Sequence, residues 1–269
     1  LISIKRNQAG YGFDETHPYL CTYLQPFNYN ILQIALVGYG KMGQAIEKIA
    51  LERGHTIGLK IDLDNRHEIN EDKLAAIDVA IEFTSPHSAF DNIMDLLKYK
   101  VPVVCGSTGW LDKKEAIDEY CLQQQGAFLY ASNFSVGVNI FFELNKKLAE
   151  LMAHQSEYRV SMEEIHHTQK KDAPSGTAVT LAEQILHTIP LYKNWVNHAS
   201  GKADELPIIS ERIDPAPGTH KIKYASEIDD IEIIHTAHSR TGFATGAVMA
   251  AEFLHGKKGI FGMKDVLGF

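Results

Sequence analysis

Apolar positions follow two different regimes along the chain. From Ile31 to Ala131, short apolar runs take turns with stretches of helical spacing. Ile31–Val37 reads as a buried strand. Ala45–Arg53 then places Ile46, Ile49 and Ala50 on one helical face. Gly54 ends that helix, and His55–Ile61 reads as a second strand. The alternation continues with a strand at Ile77–Phe83, a helix at Pro86–Lys98, a strand at Val101–Cys105, a helix at Asp112–Gln125 and a strand at Ala127–Ala131. Strands alternating with helices predict an α/β fold with a doubly wound parallel sheet.

The second regime begins with a long amphipathic helix at Val138–Ala153 and a strand at Tyr158–Ile165 that alternates like one with a single wet face. A helix at Ser175–Thr188 follows. Strands at Leu206–Ile213, Thr219–Ala225 and Asp230–Thr236 then come with few helices between them. Such a run predicts a second α+β domain on a mixed, mostly antiparallel sheet. Gly242–Leu254 is helical again, and its Ala and Gly content suits close packing on the first domain. The first thirty residues mix Gly, Pro, Asn, Tyr and His without period. They read as a poorly ordered N-terminal extension, or as a short arm packed through Tyr19, Tyr23 and Phe27.

At 269 residues the chain has room for two modest domains with ample core. Its formal net charge of -8 argues against wholesale nucleic-acid binding, so an anionic ligand needs a local basic patch. Cys21, Cys105 and Cys121 are odd in number and widely spaced, which suits reduced thiols in a cytoplasmic protein. No apolar run approaches the ~20 residues of a membrane span, and the start carries no signal-peptide-like apolar segment.

Two motifs carry chemistry. Gly38-Tyr39-Gly40-Lys41-Met42-Gly43 follows a strand and opens a helix. Gly38 permits the tight turn, Gly40 lets the backbone approach a pyrophosphate, and Gly43 lets helix and strand pack closely. The alternative is a plain glycine turn. Asp62 ends the second strand about twenty residues on, where a carboxylate takes ribose hydroxyls; otherwise it is one solvated loop acid among Asp62, Asp64 and Glu68. Asp62 favours NADH, whereas Lys41 or Lys60 could meet the extra phosphate of NADPH, so both cofactors stay open. Phe83-Thr84 and Gly106-Ser107-Thr108 end the third and fourth strands, the edge at which open α/β sheets bind ligands. Gly106 and Gly109 would let the loop backbone approach a nicotinamide, with ordinary turn chemistry as the alternative.

The second motif is Glu164-Ile-His-His-Thr-Gln-Lys-Lys-Asp-Ala-Pro-Ser-Gly-Thr-Ala178. Ser175 suits a helix N-cap. Gly176 and Thr177 would then offer N–H groups, and Thr177 a hydroxyl, to an anion such as a carboxylate, with charge added by Lys170 and Lys171. The bland reading is a capped helix beside solvated lysines. His166 and His167 sit at a strand end and should point to different sides. Either can handle a proton near neutral pH, and at least one should be a structural histidine. Adjacent histidines rarely hold one metal together, and no cysteine or carboxylate spacing completes a zinc set, so no metal is expected.

These motifs together resemble the dihydrodipicolinate reductase family from Ile31 to the C-terminus. The long motif is its most specific part. Ala131-Ser-Asn-Phe-Ser-Val-Gly-Val-Asn139 and Phe261-Gly-Met-Lys-Asp-Val-Leu267 are two further family-like stretches. The resemblance implies a Rossmann-type dinucleotide-binding domain at 31–136, with 241–269 packing back on it. It also implies a substrate-binding and oligomerisation domain at 137–240, after the extension at 1–30. It assigns proton handling to His166 and Lys170, substrate contact to His167, and a substrate carboxylate to Gly176 and Thr177. The cofactor, NADH or NADPH, would meet Gly38, Gly40, Lys41, Met42, Gly43, Asp62, Phe83, Thr84, Gly106, Ser107, Thr108, Ala131, Asn133, Phe134 and Arg240. The expected reaction reduces a cyclic imine bearing two carboxylates to tetrahydrodipicolinate, on the diaminopimelate route to lysine, in a cytoplasmic homotetramer. Two rivals are another Rossmann dehydrogenase of amino-acid metabolism and a nicotinamide-binding sensor without turnover. The His-His-x-x-Lys run argues against both.

Overall fold

The computed structural model describes residues 30–239 and 241–269. The expectations for residues 1–29 and for Arg240 therefore lie outside the described residues.

Six parallel strands form the first sheet: β1 (Gln33–Val37), β2 (Thr56–Ile61), β3 (Val79–Glu82), β4 (Val103–Cys105), β5 (Ala127–Tyr130) and, from the chain's end, β11 (Gly259–Phe261). Their order is β11-β5-β4-β3-β1-β2. The chain runs outward from β1 to β2, then returns to place β3 on the other side of β1. That reversal opens a crevice beyond the carboxyl ends of β1 and β3.

Alternation decides which layer each strand residue joins. Ile34 and Leu36 enter a core with α1 (Lys41–Glu52) and α7 (Thr241–Leu254). Ala35 and Val37 enter the opposite core with α3 (Ala89–Lys98) and α4 (Lys114–Gln123). Both faces are covered over the inner strands, so β1, β3, β4 and β5 read as continuous apolar runs, while the edge strand β2 alternates. Ala244, Ala247, Ala250 and Ala251 of α7 are buried against the first sheet's core.

The second sheet has the order β10-β9-β6-β8-β7. Its strands are β6 (Arg159–His166), β7 (Asn194–Val196), β8 (Glu205–Arg212), β9 (Gly218–Ala225) and β10 (Asp230–Ala237). The sheet is mixed. β10–β9 and β9–β6 are antiparallel, whereas β6–β8 and β8–β7 are parallel. The parallel pair β6–β8 is joined through α6 (Gly176–Thr188), the crossover that a parallel connection requires. α6 and α5 (Val136–Met152) bury Phe141, Leu181 and Ile185 against Met162, Ile208 and Ile222 of the sheet.

The short pieces were not foreseen: β7, β11, α2 (Glu71–Leu74) and α8 (Met263–Leu267) hold too few residues to show a period. Helix α3 starts at Ala89 rather than Pro86, because 85–88 form a turn in which the hydroxyls of Ser85 and Ser88 lie 2.9 Å apart. Helix α1 starts at Lys41 rather than Ala45, its first turn carrying the buried Gly43 and Met42, which packs against the core.

Candidate active site

The glycine loop leaves β1 through Gly38, whose φ is +94° and whose N–H donates to Ile61 O at 2.9 Å. A Cβ there would lie 2.1 Å from Phe83 O, so only glycine fits. At Gly40 a Cβ would meet nothing within 4 Å, which leaves the backbone open to an incoming phosphate. The first N–H groups of α1 have no partner inside the helix and add their dipole to that site.

Gly38, Gly40, Asp62, Phe83 and Thr84 line one cavity of about 300 Å³ at the crevice. Asp62 caps a short 3₁₀ turn by accepting from Leu63 N at 2.9 Å. Lys60 is engaged by Glu47 at 2.7 Å and by the Tyr39 hydroxyl at 3.2 Å. Ser107 is buried and accepts from Thr84 N at 2.8 Å, so it locks the two strand-end loops together. At Gly106 the space of a side chain is filled by the Phe83 ring, 2.2 Å from where a Cβ would sit. That glycine therefore makes room for Phe83 rather than for a ligand. Phe83 packs on the buried ring of Phe134 at 5.5 Å. Ala131 follows β5, donating to Cys105 O at 3.2 Å, and Lys41 and Gly43 open α1.

A larger cavity of about 860 Å³ lies between the carboxyl edge of the first sheet and the second sheet. Met42, Thr108 and Asn133 line it from the first side. His166, His167, Lys170, Gly176 and Thr177 line it from the second. Asn133 ties the sides together: its Nδ2 donates to Thr177 Oγ1 at 3.3 Å, and its backbone carbonyl accepts from Asn139 Nδ2 of α5 at 2.9 Å. The geometry thus brings the long motif to the strand ends that the nucleotide motif follows.

The second side is built by alternation. Val160, Met162, Glu164 and His166 are the inward residues of β6, and Gly218, His220, Ile222 and Tyr224 those of β9. Ser175 caps α6, its hydroxyl accepting from Ala178 N at 3.2 Å. That leaves the Gly176 and Thr177 N–H groups at the cavity. His166 is buried and His167 is not, as opposite-facing neighbours require. Lys170 pairs with Asp172 at 2.9 Å, with its side chain 25% exposed. Burial lowers the pKa of His166, with Lys170 and Arg212 acting the same way against the raising effect of Glu164. Burial also drives His220 down, to about 3.

Glu164, His166 and His220 are also the one group among the described residues whose ligating atoms converge as a metal set would. The adjacent His pair gave no sign of it. Arg212 Nη2 lies 3.1 Å from Glu164 Oε1, and Ser175 N donates to both carboxylate oxygens at 3.0 and 3.1 Å. Those partners leave the carboxylate satisfied and place a cation where another charge would be repelled.

Comparison with known proteins gives this geometry a family. A model described as dihydrodipicolinate reductase, N-terminus, matches residues 32–134, and its C-terminus counterpart matches residues 137–267. The chain belongs to the dihydrodipicolinate reductase family. It is accordingly an NAD(P)H-dependent oxidoreductase. A 4-hydroxy-tetrahydrodipicolinate reductase from Christiangramia forsetii is 53% identical over 88% of this chain and 98% of its own. One from Neisseria meningitidis serogroup C is 32% identical over 82% of this chain and 84% of its own. The dipicolinate-bound dihydrodipicolinate reductase from Paenisporosarcina sp. TG-14 shares the fold, with a TM-score of 0.69 and 23% identity. That alignment covers 88% of this chain and 99% of the other.

Sequence reasoning missed three residues of the reductase cavity or its wall: His220, His235 and Arg212. His220 and His235 line the cavity, and Arg212 holds the loop below it. A signal existed for His220. It is a polar residue at an inward position of the alternating run Gly218–Ala225.

Proposed function

We propose that the larger cavity reduces a six-membered cyclic imine carrying two carboxylates, with His166 and Lys170 as its proton donors. The chain catalyses the NAD(P)H-dependent reduction of 4-hydroxy-tetrahydrodipicolinate to tetrahydrodipicolinate, a step on the diaminopimelate route to lysine. The observation that carries the site reading is the joint lining of one cavity by Met42, Thr108 and Asn133 with His166, Lys170 and Thr177.

The chain's residues divide the work. The open backbone at Gly40 and the α1 start hold the pyrophosphate, and Asp62 takes the ribose. Bound reduced nicotinamide supplies a hydride. Gly176 and Thr177 hold one substrate carboxylate through their N–H groups and the Thr177 hydroxyl, which fixes the ring's orientation. The 4-hydroxyl of the substrate would leave as water to give the conjugated imine; hydride added at the carbon it left would push an electron pair toward the ring nitrogen as an enamine, and a proton taken at the neighbouring ring carbon would restore the imine. Lys170 and protonated His166 offset that charge, and one of them delivers the proton. His167 contacts substrate at the rim. With Lys60 engaged by Glu47 and Asp62 beside the crevice, the ribose end favours NADH over NADPH.

Residues 31–136 with 241–269 serve as the dinucleotide-binding part, and 137–240 as the substrate and assembly part. The second sheet supports a homotetramer through its face away from α5 and α6, where Ile234 is 56% exposed. No helix among the described residues is long and apolar enough to cross a membrane. A biosynthetic role supports a cytoplasmic setting for the enzyme.

Dipicolinate, a flat dicarboxylate analogue, tests the substrate site. It should compete with the imine and bind at least tenfold more weakly to Thr177→Val or Lys170→Ala. Equal affinity for both variants and wild type would contradict the assignment.

A further inference from the structure

Glu164 is fully buried on a strand whose other inward residues are Val160, Met162 and His166. A carboxylate there carries a heavy desolvation cost unless every lone pair finds a partner. Its partners belong to the catalytic cavity. Oε1 accepts from Ser175 N at 3.0 Å and from Arg212 Nη2 at 3.1 Å. Oε2 accepts from the same Ser175 N at 3.1 Å and lies 3.4 Å from His166 Nδ1 and 3.8 Å from His220 Nε2. The register explains the convergence, because Glu164 sits opposite His220 on β9 and opposite Ser210 on β8, while His166 sits opposite Arg212.

We propose that Glu164 is a positioning residue of the reductase, one buried carboxylate that fixes the His166 ring and the start of α6 together. The proposal deepens the site reading above and rests on His166 as a proton donor. Through Ser175, Glu164 sets where the Gly176 and Thr177 N–H groups stand. Through Nδ1 it sets the ring. His166 Nδ1 is enclosed and makes no hydrogen bond among the described residues, and the carboxylate it faces is Glu164, with Oε2 3.4 Å away. The ring edge meets His220 at a centroid distance of 5.1 Å, and a Cβ on Gly218 would come within 3.0 Å of Nε2. With Nδ1 turned to Glu164, Nε2 is the nitrogen left to serve substrate. Arg212 extends the clamp. It donates to the carbonyls of Lys170 (at 3.3 Å) and Asp172, so the second proton donor hangs from the same anchor.

The charges around the ring give Glu164 a measurable signature. Burial, Lys170 and Arg212 push His166 toward the neutral form, and Glu164 with Asp172 pushes back, Glu164 more strongly. The neighbouring His220 is itself held neutral by burial. Burial raises the Glu164 carboxyl, but hydrogen bonds from Ser175, Ser210 and Arg212 outweigh it, so the group stays ionised at neutral pH.

Two measurements decide. In wild-type protein with ¹⁵N-labelled histidine, neutral His166 should carry its proton on Nδ1; a proton on Nε2 overturns the proposal. In Glu164→Gln, His166 should titrate lower by about 1–3 pH units, the range for losing one nearby opposite charge. The high-pH limb of kcat/KM should follow it, kcat should fall at least tenfold, and KM for NADH should hold. Glu164→Asp, which keeps the charge, should recover the limb toward wild type. An unmoved His166 titration in folded Glu164→Gln overturns the proposal. Wild-type turnover in His166→Gln would instead sink the proton-donor reading, while the tautomer and the titration still judge Glu164.

Discussion

His220 makes the protein's stability depend on acid in a way that one substitution can isolate. The ring is 5% exposed, lies 3.2 Å from the Ser175 hydroxyl, and faces the ring of His166. Burial, then the neighbouring His166, lowers its pKa from 6.5 to about 3 in the folded protein. The unfolded chain takes the proton near the ordinary value. Between those limits the unfolded state binds more protons, so stability is full above about pH 6.5 and falls as pH drops toward 3. Each pH unit costs about 1.4 kcal/mol once the ordinary pKa is passed, which is about 2 kcal/mol at pH 5 and about 5 kcal/mol over the whole interval. Urea unfolding followed by tryptophan fluorescence at about pH 7.5 and about pH 5 reads this directly. His220→Gln should lower stability at neutral pH by about 1 kcal/mol, through the lost Ser175 contact. It should also remove about 2 kcal/mol of the loss between the two pH values. Equal pH dependence in wild type and variant would refute the reasoning.

Three further outcomes follow from packing and charge. Gly246→Ala places a Cβ 1.7 Å from Phe134 O, a backbone atom that cannot swing aside; calorimetry should show a loss of about 3 kcal/mol or more, and a tolerated substitution would mean that α7 sits farther from the β5 loop. Gly40→Asp has room for its side chain but sets a negative charge on the phosphate path, so NADH affinity by fluorescence titration should fall at least a hundredfold while thermal stability holds. If the proposed homotetramer forms through the open face of the second sheet, Ile234→Asp should lower the assembly state seen by sedimentation; the same assembly state in wild type and variant would contradict that contact.

The legible parts of the fold were those with a long enough period. Ile31–Val37 and the third to fifth strands announced a parallel sheet because they are buried on both faces, whereas the edge strand β2 leaves Thr56, Gly58 and Lys60 exposed. β7 and β11, three residues each, left no such trace. The site was half legible for a related reason. Gly38–Gly43 and Glu164–Ala178 are contiguous, so local chemistry exposes them. Arg212 enters only through register, opposite His166 on a neighbouring strand; His220 stands out as an inward polar residue of its own run, but only register sets it opposite Glu164, and register is a property of the sheet. The reason for Gly106 was equally hidden, because the ring that fills its space comes from a different strand end.

The most direct test of the central claim is the initial rate of reduced-nicotinamide consumption when the cyclic imine is added to wild type, His166→Gln and Lys170→Ala. The wild type should consume reduced nicotinamide rapidly and each variant should lose at least a hundredfold in kcat, about 3 kcal/mol of barrier, with NADH affinity retained. Variants that turn over like wild type would contradict that claim.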